Sequence, residues 1–297
     1  DLLIATPSHG AWLCSLPPTS LRFRDVLATM LERTQSSTSE DWDVCFAALA
    51  DMLLETSFMM ALPLASTSQP PASIADALRA HPGCELDILP HGWTFQVPWC
   101  ALPISVDAEG TRRPLIEPHL VRLRPRLPEE GSERSRLLRP RRALVYGDDG
   151  RMLPAARGEA EAVATTLRDV GVDVVEFGNG SPLTIDRLRE EGARCDLLHL
   201  ATHAEFDASA PWQSWVQGGS VTGDAQTSRL RLDLLHQLGS APETVILSAC
   251  STAVVDRSRL FDAVSVAHSF LLAGTRTVIG SLWRVDGESM SGFMRRL

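Results

Sequence analysis

The sequence lacks the cysteine spacings that mark a zinc site or a disulfide framework. Its 297 residues include six cysteines, which are scattered with no Cys-x-x-Cys pair and no close Cys/His cluster. Structural zinc sites need such clusters, and disulfide-stapled domains are usually short and secreted. We therefore expect reduced thiols in a cytoplasmic protein, with no bound metal.

Long apolar runs and an excess of positive charge are also absent. No stretch reaches the ~18 uncharged apolar residues of a membrane helix, and the N-terminus has no signal-peptide pattern. Lysine and arginine number 28 against 37 acidic residues, a net charge of −9 that argues against a surface coating nucleic acid. A run of arginines between residues 122 and 142 lies among prolines and is interpreted as a solvated linker. We expect neither a membrane nor a nucleic acid as partner.

Two familiar enzyme motifs are missing. No G-x-S-x-G of a serine hydrolase occurs, and "GNGS" at residues 178–181 lacks the lysine and hydroxyl residue of a phosphate-binding loop. We predict that this glycine-containing stretch is a turn.

Alternating strands and helices occupy the second half of the sequence. Apolar strand patterns occur in "RALVYG", "VDVVEF", "CDLLHLATH", "ETVILSAC" and "TRTVIGSLW". Helical patterns separate them in "ARGEAEAVATTLRDVG", "TIDRLREEG", "LRLDLLHQLG" and "RLFDAVSVAHSFLLAG". Continuous apolar strands between helices predict a parallel sheet covered on both faces.

The first part of the sequence is mixed α/β by the same reading. Helices are predicted in "SSTSEDWDVCFAALADMLLETSFMMAL" and "ASIADALRAH", and two short strands in "ELDILPHGWTFQVPWCALPI". We predict two domains, an N-terminal α/β lobe at residues 1–135 and a catalytic lobe at residues 136–297.

Reactive side chains follow two of the predicted strands. One strand leads to His203 and another to Cys250, and ligands bind beyond the carboxyl ends of strands in such sheets. The separation of 47 residues is close to the ~50 between histidine and cysteine in caspases. A cysteine nucleophile needs a nearby imidazole and backbone donors for the oxyanion, so this pair is a candidate catalytic dyad. A buried structural cysteine and a core histidine are the alternative.

Three stretches resemble the hallmarks of the CHAT domain family of caspase-like cysteine proteases. They are "LLHLATHAEFD", "VILSACSTA" and "AHSFLLAGTRTVIGSLWRVD", with looser similarity in "LPAARGEAEAVATTL" and "LDILPHGWTFQVPWCALP". The resemblance implies a caspase-like αβα sandwich with a mostly parallel central sheet and a mixed α/β N-terminal pseudo-caspase-like lobe. It also implies a cysteine endopeptidase that needs no cofactor.

The resemblance assigns roles to individual residues. His203 is implied as the catalytic histidine and Cys250 as the nucleophile, with the N–H groups of Cys250 and Ala204 forming the oxyanion hole. His199 is expected to have a supporting or core role rather than a catalytic one. The implied substrate-binding residues are Ser281, Leu282, Trp283, Arg284 and Asp286, of which Asp286 is the candidate receiver of a basic side chain before the scissile bond.

Partners and rival functions follow from the same resemblance. Proteases of this family are commonly joined to sensor or repeat domains and switched on in bacterial defence or cell death. The resemblance therefore implies a protein substrate and such a fused or associated domain. Because the chain opens on Asp1 and ends within a predicted helix, we expect it to be a piece of a longer protein. The alternatives are a catalytically silent caspase-like scaffold and a protein-binding module with an incidental cysteine.

Overall fold

The computed structural model describes the chain in separate stretches. They are residues 2–6, 10–14, 39–54, 60–61, 73–90, 92–108, 110–124, 139–147, 153–178, 180–207, 210–219, 229–249, 265–282, 285 and 287–296. The chain divides into two compact units, the first comprising Asp1–Pro90 and Val97–Leu127 and the second His91–Gln96 and Pro128–Leu297. Within the described stretches, no helix is long and apolar enough to cross a membrane. The predicted domain boundary at residues 135/136 falls outside them.

Small sheets and helices make up the first unit. Its elements are β1 (Leu2–Thr6), β2 (Gly10–Cys14), α1 (Ser39–Leu53), β3 (Met60–Ala61), α2 (Ile74–Arg79), β4 (Glu85–Ile88), β5 (Pro103–Val106), β6 (Arg112–Pro114) and β7 (Leu120–Leu123). Strands β1, β2 and β3 form one antiparallel sheet, β4 pairs with β7 in parallel, and β5 pairs with β6. Leu49 and Leu53 of α1 are fully buried, as are Leu102 and Leu115, so this unit has an apolar core of its own.

One predicted strand in this region is absent, and the prediction was wrong. Residues of "GWTFQVPWCA" form two 3₁₀ turns instead, Gly92–Gln96 and Trp99–Ala101. Pro98 has no N–H to donate to a sheet ladder, and the N–H of Trp99 is bonded to the Val97 carbonyl at 2.8 Å.

A parallel sheet with flanking helices forms the second unit. Its elements are β8 (Arg142–Gly147), α3 (Pro154–Asp169), β9 (Asp173–Phe177), α4 (Ile185–Gly192), β10 (Leu197–Ala201), β11 (Ala204–Glu205), β12 (Trp215–Gln217), β13 (Arg229–Arg231), α5 (Leu232–Leu235), β14 (Thr244–Ser248), α6 (Val266–Leu272), β15 (Thr277–Ile279) and α7 (Gly287–Met294). The five-stranded sheet has the order β15-β14-β10-β8-β9, and all four pairings are parallel. The predicted parallel sheet is confirmed.

Local sequence signals begin and end the helices of this unit. Pro154 occupies the first turn of α3, and Gly171, with φ of 87°, closes the chain after it. The Thr184 hydroxyl accepts the Arg187 N–H at the start of α4, and the Ser265 hydroxyl accepts the His268 N–H at the start of α6. The predicted turn is confirmed, since Gly178 and Ser181 bond each other's backbone.

Apolar side chains cover both faces of the parallel sheet. On one face, Leu198 and Leu200 of β10 pack in a cluster that includes residues of α4, α5 and α6. On the other face, Val145 and Ala201 pack against the alanines of α3, which also contacts α7. The sheet therefore lies between two helical layers, an α/β arrangement of the caspase-like kind.

Three predicted elements in this unit are shorter than expected. Strand β10 ends at Ala201 rather than His203, and β15 ends at Ile279 rather than continuing to Trp283. The stretch predicted as one helix from Leu230 begins as β13, because Leu230 pairs with Val216 and its side chain enters the core. Only Leu232–Leu235 is helical, since that pairing takes up the preceding residues.

Candidate active site

The carboxyl ends of β10 and β14 lie side by side at one edge of the sheet. Ala201, the last residue of β10, pairs with Ser248, the last residue of β14. His203 follows the first by two residues, and Cys250 follows the second by two in the sequence. Cys250 itself lies outside the described residues.

His203 lies between the parallel sheet and a small antiparallel sheet formed by β11, β12 and β13. Its side chain is exposed, and its carbonyl accepts the Gln217 N–H at 2.7 Å. The histidine is thus held by its backbone while its side chain is exposed.

Ala204 occupies the position implied for the oxyanion hole. It pairs with Val216, and its side chain packs against the main core cluster. Because strand residues have negative φ, alanine adopts this backbone without the strain that a glycine-only conformation would impose. The bond from Gln217 to His203 makes the neighbouring Ala204–Val216 pair a non-hydrogen-bonded one. The N–H of Ala204 therefore points away from β12.

Two hydrogen bonds hold the end of the cysteine-bearing strand. The Thr202 N–H donates to the Ser248 carbonyl at 3.2 Å, and the Ser281 hydroxyl donates to the Ala249 carbonyl at 2.6 Å. Ser248 and Ala249 are buried, so the backbone immediately before Cys250 is packed and bonded.

The residues implied to bind substrate are only partly described. Ser281 and Leu282 are half-buried and follow β15 outside its ladder. The Ser281 hydroxyl is used within the protein, on Ala249. Trp283, Arg284 and Asp286 lie outside the described residues.

A buried carboxylate partners His199, and the sequence reading missed it. His199 Nε2 lies 2.8 Å from Glu159 Oε1, and both side chains are 2% exposed. Glu159 stands on α3 beside Ala156 and Ala160, which are buried. The sequence does carry a signal that could have revealed this partner, because Glu159 is a carboxylate on the apolar face of a predicted helix. This pair ties α3 to the strand that leads to His203.

A second cysteine and histidine are in contact in the first unit. Cys84 Sγ lies 3.2 Å from His119 Nδ1, and His119 is 4% exposed. Burial is the main cause that raises the pKa of the Cys84 thiol and lowers the pKa of His119. Both groups are therefore neutral at pH 7, and this contact was not predicted.

The other described thiols are buried to various degrees, and the described residues include no cluster that could bind a metal ion. Burial raises the pKa of Cys45, of Cys100 and, to about 11, of Cys195. In the part of the chain that the structure describes, no group of three or more His, Cys, Asp or Glu side chains is placed to hold a metal ion.

A pocket lies at the carboxyl ends of β8 and β9, on the same edge of the sheet at which the neighbouring strands β10 and β14 end. Its lining includes Gly147, Phe177 and the charged side chains of Arg157 and Glu161. Arg157 and Glu161 are paired with each other at 3.0 Å, so the pocket presents no unbalanced charge from this pair to select a ligand.

One family model matches most of the chain. The family model described as CHAT domain matches residues 45–297. No curated protein matches the chain.

Proposed function

The chain belongs to the CHAT domain family, and on that premise we propose that it is a cysteine endopeptidase with Cys250 as nucleophile and His203 as base. The family accounts for a caspase-like, protease-related fold. The observation that carries the proposal is the pairing of Ala201 with Ser248, each two residues before a member of the dyad. Neighbouring parallel strands end at the same edge of a sheet, where catalytic groups collect.

The proposed reaction uses side chains and backbone groups alone. His203 accepts the thiol proton, and the Cys250 thiolate attacks the scissile carbonyl carbon. The oxyanion accepts hydrogen bonds from the N–H groups of Cys250 and Ala204. When the tetrahedral intermediate collapses, the C–N bond breaks and the imidazolium of His203 protonates the leaving amine. Water, activated by the same imidazole, hydrolyses the thioester and restores the thiol.

Ala204 is suited to the oxyanion role because of its register. Its N–H points away from β12, and its side chain is anchored in the core. A donor that is fixed before the reaction costs no reorganisation when the negative charge develops.

The substrate is proposed to bind as an extended peptide beside residues 281–284. Backbone pairing would supply affinity, Trp283 an apolar wall, and Asp286 a carboxylate for an arginine or lysine before the scissile bond. Cleavage profiles of a peptide library test this preference. An aliphatic or acidic residue at that position would remove the role of Asp286.

The cellular role is proposed at the level of the family. We assign the first unit to the pseudo-caspase-like lobe and expect a fused or associated sensor or repeat domain to switch on cleavage of a protein partner. The setting would be bacterial defence or cell death in the cytoplasm.

The decisive experiment compares two cysteines and two histidines. Wild-type chain and the variants Cys250→Ala and His203→Ala are incubated with a proteome-derived peptide library, and new N-termini are counted by mass spectrometry. Cleavage should be lost in both variants. Cys84→Ala and His119→Ala are matched controls, since they remove the other Cys–His contact, and should cleave as wild type does.

Two results would contradict the proposal. Cleavage that survives Cys250→Ala and His203→Ala would mean that the dyad is wrong. A wild-type chain that binds a partner without cutting it would favour the catalytically silent scaffold.

A further inference from the structure

We infer that Thr202 is a positioning residue. It holds His203, Ala204 and the paired strands β11 and β12 at a set distance from β14, the strand that precedes Cys250 in the sequence. The inference rests on the proposed function, because it assigns Thr202 no chemical step. It acts through the two elements that it joins.

Three hydrogen bonds form a continuous connection through Thr202. Its N–H donates to the Ser248 carbonyl at 3.2 Å, and its hydroxyl donates to the Gln217 carbonyl at 2.9 Å. The Gln217 N–H in turn donates to the His203 carbonyl at 2.7 Å. Thr202 is linked to His203 by a peptide bond, so its N–H ties the histidine segment to the end of β14, and its hydroxyl ties the same segment to β12.

Burial makes this connection rigid. Thr202 is 4% exposed, so water does not readily replace its hydroxyl as the donor to Gln217. A threonine also has restricted χ1 rotamers, which fixes the direction of the hydroxyl.

The position of Thr202 also determines what its hydroxyl can influence. The residue lies directly before His203, and Ala204 follows in β11, which pairs with β12. A shift of β12 relative to β14 would move the imidazole and the Ala204 N–H together. A misplacement of about 1 Å can cost up to about 100-fold in rate.

The test measures the reactivity of the nucleophile and needs no substrate. The rate constant for alkylation of Cys250 by iodoacetamide is followed from pH 5 to pH 9 by peptide mass spectrometry, in the full chain. Wild type and His203→Ala are compared first. The two plots of alkylation rate against pH should differ, and the rate should begin to rise at a lower pH in wild type than in His203→Ala.

The hydroxyl of Thr202 is then removed and restored. Thr202→Val keeps the shape of the side chain, and we expect the Cys250 rate at pH 7 to fall about tenfold, with a profile shifted toward that of His203→Ala. Thr202→Ser keeps the hydroxyl and should stay within about twofold of wild type. Thr202→Ala against Thr202→Ser repeats the contrast, should Thr202→Val fail to fold.

Thr275 supplies a matched control in the same unit. Its hydroxyl donates to the Pro242 carbonyl at 2.9 Å, and the residue is 5% exposed. Thr275 precedes β15 and Pro242 precedes β14, so this bond lies at the edge of the sheet opposite His203. Thr275→Val should lower stability as Thr202→Val does and leave the Cys250 profile unchanged.

The outcomes separate the inference from its premise. If the Cys250 alkylation profile of Thr202→Val equals that of wild type, the positioning role alone is overturned. The same holds if the profile of Thr275→Val is shifted as far as that of Thr202→Val. Identical profiles for wild type and His203→Ala would overturn the proposed dyad, and the positioning role with it.

Discussion

The Cys84–His119 contact in the first unit and the β10–β14 edge in the second unit place a histidine under different conditions. The first is a neutral pair in direct contact, with the histidine buried. At the second, His203 is exposed and stands beside Ala204, whose N–H is directed away from β12. Under the proposed function, the difference predicts that contact between a thiol and an imidazole is insufficient for catalysis. The thiolate must be accessible, and a fixed donor must stand ready for the oxyanion.

The largest expected effect is in thiol reactivity. With a pKa of about 11, Cys195 is thiolate in only about one molecule in 10 000 at pH 7, and the raised pKa of Cys84 disfavours its thiolate as well. Cys250 should react with iodoacetamide at least about 100-fold faster than either thiol, as measured by peptide-resolved mass spectrometry. Equal labelling of all six cysteines would mean that the Cys250 thiol is no more reactive than the buried thiols, Cys84 among them.

Acid stability should also differ between the units. Burial lowers the pKa of His268 in the second unit to about 4, and burial lowers that of His119 in the first. Between pH 6.5 and 4 the unfolded chain binds more protons at His268 than the folded chain does. The resulting stability is therefore complete above pH 6.5 and lost as the pH falls, at a cost of about 3 kcal/mol.

Urea unfolding at pH 7 and pH 4 measures this loss. His268→Gln should reduce the difference between the two pH values more than His119→Gln does. A larger effect of His119→Gln would assign the acid sensitivity to the first unit.

A smaller effect is expected where α3 approaches the sheet. A Cβ added at Gly147 would lie 2.6 Å from the Ala160 Cβ and 3.2 Å from the Ala156 carbonyl oxygen. Gly147→Ala should therefore displace α3 and cost about 2 kcal/mol in urea unfolding. At Gly192 the nearest atom to an added Cβ is 3.6 Å away, within helix α4. Gly192→Ala is the control and should be neutral or slightly stabilising, and equal losses would refute the steric explanation.

The smallest effect concerns the Cys84–His119 hydrogen bond itself. Cys84→Ala removes the thiol that lies 3.2 Å from the buried Nδ1 of His119 and should cost about 1 kcal/mol of unfolding free energy. A double-mutant cycle with His119→Ala isolates the pair. A coupling energy of zero would mean that the contact contributes nothing to the first unit.

The parallel sheet was predictable because its signals are local. Apolar runs such as "RALVYG" and caps such as Thr184 set strands and helices within a few residues. Prediction failed where pairing with a distant segment decided the outcome. Leu230 is strand rather than helix because it pairs with Val216, and the stretch before Pro98 forms a 3₁₀ turn rather than a strand.

Of the candidate site, only the meeting of the two strand ends could be predicted, and the contacts around them could not. The residues at those ends, His203 and Cys250, can be read from the sequence. Neither the Glu159 partner of His199 nor the Thr202 link to Gln217 follows from local pattern, because each joins residues on different elements.

The sequence by itself determined the family, the five strands of the parallel sheet and their alternation with helices, and the placing of a histidine and a cysteine after two of those strands. Only the tertiary structure decided that Ala201 stands opposite Ser248, that the Ala204 N–H is turned from β12, and that Thr202 joins β12 to β14. The physical reason is that strand content depends on neighbouring residues. Register and cross-element hydrogen bonds depend on which distant surfaces pack together.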